Sequence, residues 1–201
     1  MESSVTPLRT GVAQRLWVAA RQEFSLRGYH GARVQGIAGS AGCNVALLYR
    51  HWRSKKELYL DVLRSIWVEV GGRIEAVVER GPASPPMVVG TYLDAMMEDP
   101  VGAQIVVREI IDGGPFLSQL ATSDPAITQP ARRAAAAMLA SSDAQHLRSG
   151  LDPMLTVLTV AGLAALAASA HEATRPYLDE PVTPDKWRQH LYDLLLHGIL
   201  T

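Results

Sequence analysis

The sequence predicts an all-α protein in which a small three-helix head is joined by one long helix to a larger helical body. Three observations carry that expectation. Apolar residues recur at intervals of three and four along most of the chain. No stretch shows a convincing alternation with the period of two that a half-buried strand requires. Pro and Gly stand at the breaks between periodic segments. Composition agrees: of 201 residues, 48% are hydrophobic, enough for a full core, and 19% are charged, too few for a disordered chain.

In chain order, Ala13, Leu16, Trp17, Ala20 and Phe24 fall on one helical face between residues 9 and 27, and Gly28 stops that helix. Residues 33–40 give a short second helix with Val34, Ile37 and Ala38 inward. Ser40-Ala41-Gly42 is a tight turn, and residues 44–51 give a third helix. Ser54-Lys55-Lys56-Glu57 reads as a capping box opening a long fourth helix to about Arg80. Tyr59, Val62, Leu63, Ile66, Trp67, Val70, Ile74, Val77 and Val78 form its inner face, and Gly71-Gly72 is expected as a weak point in it. Residues 80–86, RGPASPP, are the clearest linker. Helical patterns then recur at about 87–98, 101–111, 115–121, 125–142, 153–174 and 184–199, punctuated at Asp99-Pro100, Gly113-Gly114-Pro115, Asp124-Pro125, Asp152-Pro153 and Glu180-Pro181. The most apolar run, 155–170, is shorter than the ~20 residues of a bilayer span and carries Thr and Ser, so it reads as a buried helix.

The net charge of −1 hides an asymmetry. Residues 1–60 hold nine Lys/Arg against three acids, a net +6, and the remainder holds ten against seventeen, a net −7. A basic head on an acidic body suggests a polyanion site at the N-terminal end, although a solvated charged surface gives the same count. The single cysteine, Cys43, excludes an intrachain disulfide. With no long apolar run near the first residues, a cytoplasmic protein is expected. No G-x-S-x-G, H-E-x-x-H, Walker or G-x-G-x-x-G motif occurs, and the six His have no metal-ligand spacing. An enzyme, a cofactor and a metal are therefore not expected.

Residues 33–51 have the outline of a helix-turn-helix. On the second of its helices Leu48 points to the core, while Ala46 and Arg50 point opposite, flanked by Val45, Leu47 and Tyr49. A helix entering the major groove needs small residues for close approach and long polar ones to reach phosphates or base edges. Arg33 stands at the start of the first helix, and Arg50, His51, Arg53, Lys55 and Lys56 cluster after the second. Lys55 lies in the first turn of the long helix, unfavourably for the helix dipole, and a bound phosphate there would relieve that cost. Cys43 fills a hydrophobic slot in the turn, and Trp52 reads as core.

Over residues 24–58, FSLRGYHGARVQGIAGSAGCNVALLYRHWRSKKEL, the chain resembles the N-terminal domain of the TetR-type transcriptional repressors. The features that carry the likeness are Phe24 before Gly28-Tyr29, Ile37-Ala38, Ala41-Gly42, the run Leu48-Tyr49-x-His51-Trp52, and Ser54-Lys55-x-Glu57-Leu58. The resemblance covers about residues 9–60; the rest matches in architecture alone. It implies a homodimer that binds a palindromic double-stranded DNA operator and is released by a small-molecule effector. It also implies phosphate contacts from Tyr49, His51 and Lys55, and a groove face of Asn44, Val45, Ala46, Leu47 and Arg50. Three departures stand out. Ala32-Arg33 replaces the usual Thr or Ser, removing a helix cap and a hydroxyl that would meet a phosphate, and leaving Arg33 to supply that contact. Val45 and Leu47 turn readout toward thymine methyl groups. Trp52 replaces a Phe.

The division expected is a DNA-binding domain at 1–53 and an effector-binding and dimerisation domain at 54–201. The last two helices offer Leu155, Leu158, Gly162, Ala165 and Ser169, complemented by Leu191, Leu194, Leu195 and Gly198, as a dimer interface, with an intrachain core as the alternative. Residues 87–142, with the long helix, are expected to hold the effector pocket: Trp67, Met96, Met97, Phe116 and Met138 as adaptable apolar lining, and Arg108, Glu109 and Asp112 as polar anchors. Arg108 and Asp112 equally fit a surface i, i+4 pair. A helical protein-interaction module without DNA binding is the alternative for the whole chain. It leaves the clustered basic residues unexplained.

Overall fold

The computed structural model describes residues 11–180 and 182–199. The expected helix start at Arg9 and the break at Pro181 lie outside the described residues. The helices are α1 (Gly11–Gly31), α2 (Val34–Ser40), α3 (Val45–His51), α4 (Lys55–Val78), α5 (Pro85–Glu98), α6 (Pro100–Ile111), α7 (Pro115–Ser123), α8 (Pro125–Ala140), α9 (Pro153–Thr174) and α10 (Pro184–Ile199). Short 3₁₀ turns follow α8 and α9 at Ser142–His146 and Arg175–Tyr177, and no strand occurs among the described residues.

Each helix from α5 to α10 opens on a proline. Proline suits a first helical position, because its fixed φ is already helical and its missing N–H would have no partner there. Before α6, α8 and α9 an acid completes the start. Asp99 accepts from Gly102 N at 3.0 Å, Asp124 from Ala126 N at 3.0 Å and Asp152 from Leu155 N at 2.8 Å. The Asp-Pro punctuation of the sequence is therefore a set of caps. α4 opens as the capping pattern requires: Ser54 Oγ accepts the Glu57 N–H at 3.1 Å, and Glu57 reaches back to Arg53 N at 2.9 Å.

Helices α1 to α3 enclose a core of Leu16, Ala20, Phe24, Ile37, Ala38 and Leu48, closed from below by Leu58 and Tyr59 of α4. Gly28, at φ 65°, breaks the helical path inside α1. α4 runs on into the body and packs against α5, α6, α7 and α8. It is joined to α8 along its length: Arg64 pairs with Asp124 at 2.6 Å, Glu75 pairs with Arg133, and Gly71 lies between these against Pro130. The matching order of these pairs makes α4 and α8 parallel. Gly71 is therefore not a weak point but a place where only glycine fits, since a Cβ there would stand 2.8 Å from Pro130 Cγ.

α9 packs on α5, α6 and α8 through Val157, Val160, Ala161, Ala164, Ala165 and Ala168. It is the one helix among the described residues long and apolar enough to cross a membrane, by length and composition only. Only one side of it is buried. The other carries Leu155, Leu158 and Leu166 at 64%, 53% and 49% exposure, with Leu163 beside them. Ala165, expected on that outer face, is instead fully buried within the chain.

Candidate nucleic-acid interface and effector cavity

α3 is held in place from three sides. Asn44 caps it, its side-chain oxygen accepting the Leu47 N–H at 2.9 Å. Leu48 is fully buried. Trp52, buried as expected, donates its indole N–H to Asp61 Oδ2 of α4 at 2.9 Å. Those anchors aim the remaining face outward: Ala46, Tyr49, Arg50 and His51 are exposed, Tyr49 at 47%, and Val45 and Leu47 are half-buried at its flanks.

Arg33 is exposed at the start of α2, and no side chain caps that helix in the usual way. Glu23 of α1 holds the start of α2 in a different way, its carboxylate accepting the Arg33 N–H at 3.3 Å. Lys55 is half-buried and already engaged: its ammonium donates to Tyr29 O at 2.8 Å and Ala32 O at 3.1 Å, and lies 4.6 Å from the Tyr29 ring centroid. Two of its three N–H donors thus tie the end of α1 to α4, which leaves one for a phosphate. The turn between α2 and α3 is tied down by Arg15, whose guanidinium donates to Ala41 O at 3.1 Å and lies 3.8 Å from Cys43 Sγ.

Within the body, a cavity of about 170 Å³ lies among five helices. Its wall comes from α4 (Trp67, Val70, Gly71), α5 (Tyr92), α7 (Leu117, Ala121), α8 (Ile127, Pro130, Ala131) and α9 (Leu158, Ala161). None of these side chains is ionised at neutral pH. Tyr92 is kept a neutral phenol by burial, which pushes its pKa up to about 12. A larger groove of about 430 Å³ lies between α9 and α10, lined by Leu151, Leu155, Leu194 and Leu195. It is the outer face just described rather than an interior.

Of the residues expected to line a pocket, Trp67 does line the cavity. Met96 and Met138 are buried in the general core, and Met97 lines a separate surface hollow with Pro100, Val101 and Gln104. Arg108, Glu109, Asp112 and Phe116 are not in the cavity wall, because they are employed at the seam between head and body. The break at Gly28 leaves α1 carbonyls without helical partners. Arg108 takes two of them, Ser25 O at 2.6 Å and Leu26 O at 2.9 Å. A Cβ on Gly28 would stand 4.0 Å from Asp112 Oδ2, which places Asp112 over the same break.

Glu109 is buried and accepts from Tyr59 Oη at 3.0 Å, Phe116 N at 2.7 Å and Leu117 N at 2.9 Å. It therefore caps α7, whose own cap position is Gly114, from the preceding helix. Burial first, and then the Glu109 charge, push the Tyr59 pKa up, so Tyr59 stays a donor. Phe116 packs against the head, its ring tilted against Tyr29 at 4.4 Å between centroids and edge-on to Tyr59 of α4 at 5.1 Å. Arg21 of α1 pairs with Asp99 at the start of α6. The long helix is thus not the only connection between head and body, as its length suggested: α6 lies along α1 and is fixed to it at both ends.

A short turn holding two helices, with the second helix buried on one side and basic on the other, is a helix-turn-helix. Residues 16–62 match the family model described as bacterial regulatory proteins, tetR family. Among curated relatives, the chain is 48% identical over 50 residues to the HTH-type transcriptional activator FasR of Mycolicibacterium smegmatis, a stretch covering 25% of this chain and 23% of FasR. It is 30% identical over 110 residues to the HTH-type transcriptional regulator RutR of Escherichia coli K12, covering 53% of this chain and 51% of RutR. The matched stretches therefore span about a quarter and about half of those relatives' lengths.

Solved structures share the whole architecture. A transcriptional regulator from Streptomyces coelicolor superposes with a TM-score of 0.65 at 21% identity over 94% of this chain and 98% of that one. FadR from Bacillus subtilis, solved with stearoyl-CoA, gives 0.65 at 16% over 92% and 98%. The ketosteroid regulator KstR2 of Mycobacterium tuberculosis gives 0.65 at 21% over 96% and 97%. At these identities the likeness is one of fold.

Proposed function

We propose that this chain is a cytoplasmic, ligand-responsive transcriptional regulator, a repressor that binds a palindromic double-stranded DNA operator as a homodimer and releases it when a small molecule occupies the body. Residues 1–53 form the DNA-binding domain and residues 54–201 the effector-binding and dimerisation domain. The observation that carries the reading is the outer face of α3, where Ala46, Tyr49, Arg50 and His51 are exposed around a fully buried Leu48. Asn44, Val45, Ala46, Leu47 and Arg50 enter the major groove, and Arg33, Tyr49, His51 and Lys55 meet phosphates.

The exposed leucines of α9, with the groove between α9 and α10, form the dimer face. A Cβ on Gly162 of that face would meet nothing within 4 Å in its own chain, so space remains for a second helix to approach closely. Two recognition helices must sit about 34–36 Å apart to read adjacent half-sites. A ligand entering the cavity pushes on Trp67, Val70 and Gly71 of α4, which continues directly under the head. The expected coupling is about 1–3 kcal/mol.

The test is binding of the purified chain to the intergenic DNA beside its own gene across a salt series, with light scattering on the same sample. Affinity should fall with a log–log slope near −0.9 for each phosphate neutralised. Absence of binding at low salt, or a monomer bound to DNA, defeats the proposal.

A further inference from the structure

The cavity has a chemical signature that narrows what it can take, granted the reading of the body as an effector domain. Its wall is apolar apart from the Tyr92 hydroxyl and the Trp67 indole. Trp67 Nε1 is buried and donates to nothing. A buried N–H without an acceptor is a standing cost that native proteins rarely leave in place without a reason. Water is a poor remedy in so apolar a space, since a trapped water needs two to four polar partners. Volume sets the second constraint. A dry apolar cavity of roughly 150 Å³ admits benzene, and this one is about 170 Å³. Charge sets the third. With no ionised group in the wall, a carboxylate or phosphate would lose its hydration and gain no partner.

We infer that the cavity binds a small uncharged molecule, a single ring with a short arm carrying one acceptor oxygen, and that Trp67 Nε1–H donates to that oxygen. The apolar ring fills the space between Val70, Leu117, Ile127 and Ala161. Trp67 is then the residue that distinguishes a ketone or ether from the hydrocarbon of the same shape. Because it stands on α4, the hydrogen bond forms on the helix that leads to the head.

The experiment is isothermal titration calorimetry of the full chain with acetophenone, ethylbenzene and benzoate, which share a ring and differ in acceptor and charge. Acetophenone should bind, ethylbenzene should bind about tenfold more weakly, the worth of one hydrogen bond, and benzoate should give no heat of binding. Trp67→Phe should bring acetophenone down to the ethylbenzene affinity and leave ethylbenzene unchanged. Ala121→Leu, which fills the cavity from α7, should abolish both. Equal affinities for acetophenone and ethylbenzene in the wild type overturn the role of the indole. Benzoate binding as tightly as acetophenone overturns the charge argument, and no binding by any of the three overturns the site. The wild-type comparison decides these points even if a variant fails to fold. None of the titrations contains DNA, so failure here leaves the operator reading standing, and failure of DNA binding leaves this result untouched.

Discussion

Tyr49 and Arg50 are adjacent on α3 and both exposed, and the proposed operator reading gives them two kinds of contact. A hydroxyl on a phosphate positions the protein without reading sequence, whereas a guanidinium that reaches a guanine edge discriminates. Tyr49→Phe should therefore weaken all duplexes about equally, and Arg50→Ala should change base preference by ~1–3 kcal/mol at one position. Competition binding against a panel of single-base variants measures both; a uniform loss for Arg50→Ala makes it a phosphate contact. Tyr92 makes a different residue-scale prediction. Its phenol titrates at about 12 in the fold against an ordinary 10.0. Between those values the unfolded chain gives up the proton while the folded chain keeps it, so stability falls as pH rises. The contribution is intact below pH 10 and lost through pH 12, on the order of 2–3 kcal/mol. Tyr92→Phe cannot ionise, so its melting temperature should fall less steeply than the wild type's across that window. The flattening is partial, because Tyr59 is pushed in the same direction. Parallel slopes would clear Tyr92 of the effect.

At the scale of the element, neighbouring glycines of α4 should respond with opposite signs. A Cβ at Gly71 meets Pro130 Cγ at 2.8 Å, while at Gly72 it meets nothing within 4 Å. Gly72→Ala should stabilise by up to about 1 kcal/mol through helix propensity. Gly71→Ala should destabilise by about 1–3 kcal/mol, because α8 must shift. Urea midpoints of the two variants decide it, and a shared sign would mean that α4 and α8 are not in close contact there. Glu109 gives a second pair. Glu109→Ala strips the α7 cap and the Tyr59 partner together and should cost roughly 2–4 kcal/mol. Glu109→Gln keeps one oxygen for the Phe116 and Leu117 amides, and its amide can donate to Tyr59 Oη in return, so it should lose less than half as much. Equal losses would show that the carboxylate charge, not the cap geometry, carries the stabilisation. These elements also show what was legible beforehand. Proline, with an acid before it at α6, α8 and α9, marks helix starts by local chemistry, so α5 to α10 are legible to within about two residues. Gly71 read as a weakness because its reason, Pro130, lies 59 residues away in sequence. Arg108 and Glu109 read as pocket anchors because helical spacing fixes which face a side chain is on and not what stands opposite. Arg15 beside Cys43 and Glu23 beside Arg33 were invisible for the same reason.

The whole molecule has two routes from body to head, α4 and the seam along α6. The seam is open to a direct test without any ligand. Arg108→Ala releases the α1 carbonyls and should raise amide exchange in α1 to α3 by about tenfold, while α8 and the buried side of α9 keep their protection. Unchanged exchange in the head would leave α4 as the sole route. The face of α9 adds a further link. Leu158 is 53% exposed and also lines the cavity, so one side chain borders both the inner space and the surface assigned to the second copy. Occupying the one should be felt at the other.

The seam also sets the terms on which heads could be exchanged between relatives by grafting. Arg108 holds main-chain carbonyls, which a foreign sequence supplies as readily as the native one, provided the chain still breaks at position 28. The pairing of Arg21 with Asp99 and the seating of Phe116 against Tyr29 and Tyr59 depend on side chains. Along this seam compatibility thus reduces to a base at position 21 and an aromatic at position 29, since Tyr59 stays with the body. A chimaera that keeps those two residues should inherit this body's response along with a new operator. One that lacks them should still fold and bind DNA, yet answer whatever fills the cavity more weakly, through α4 alone.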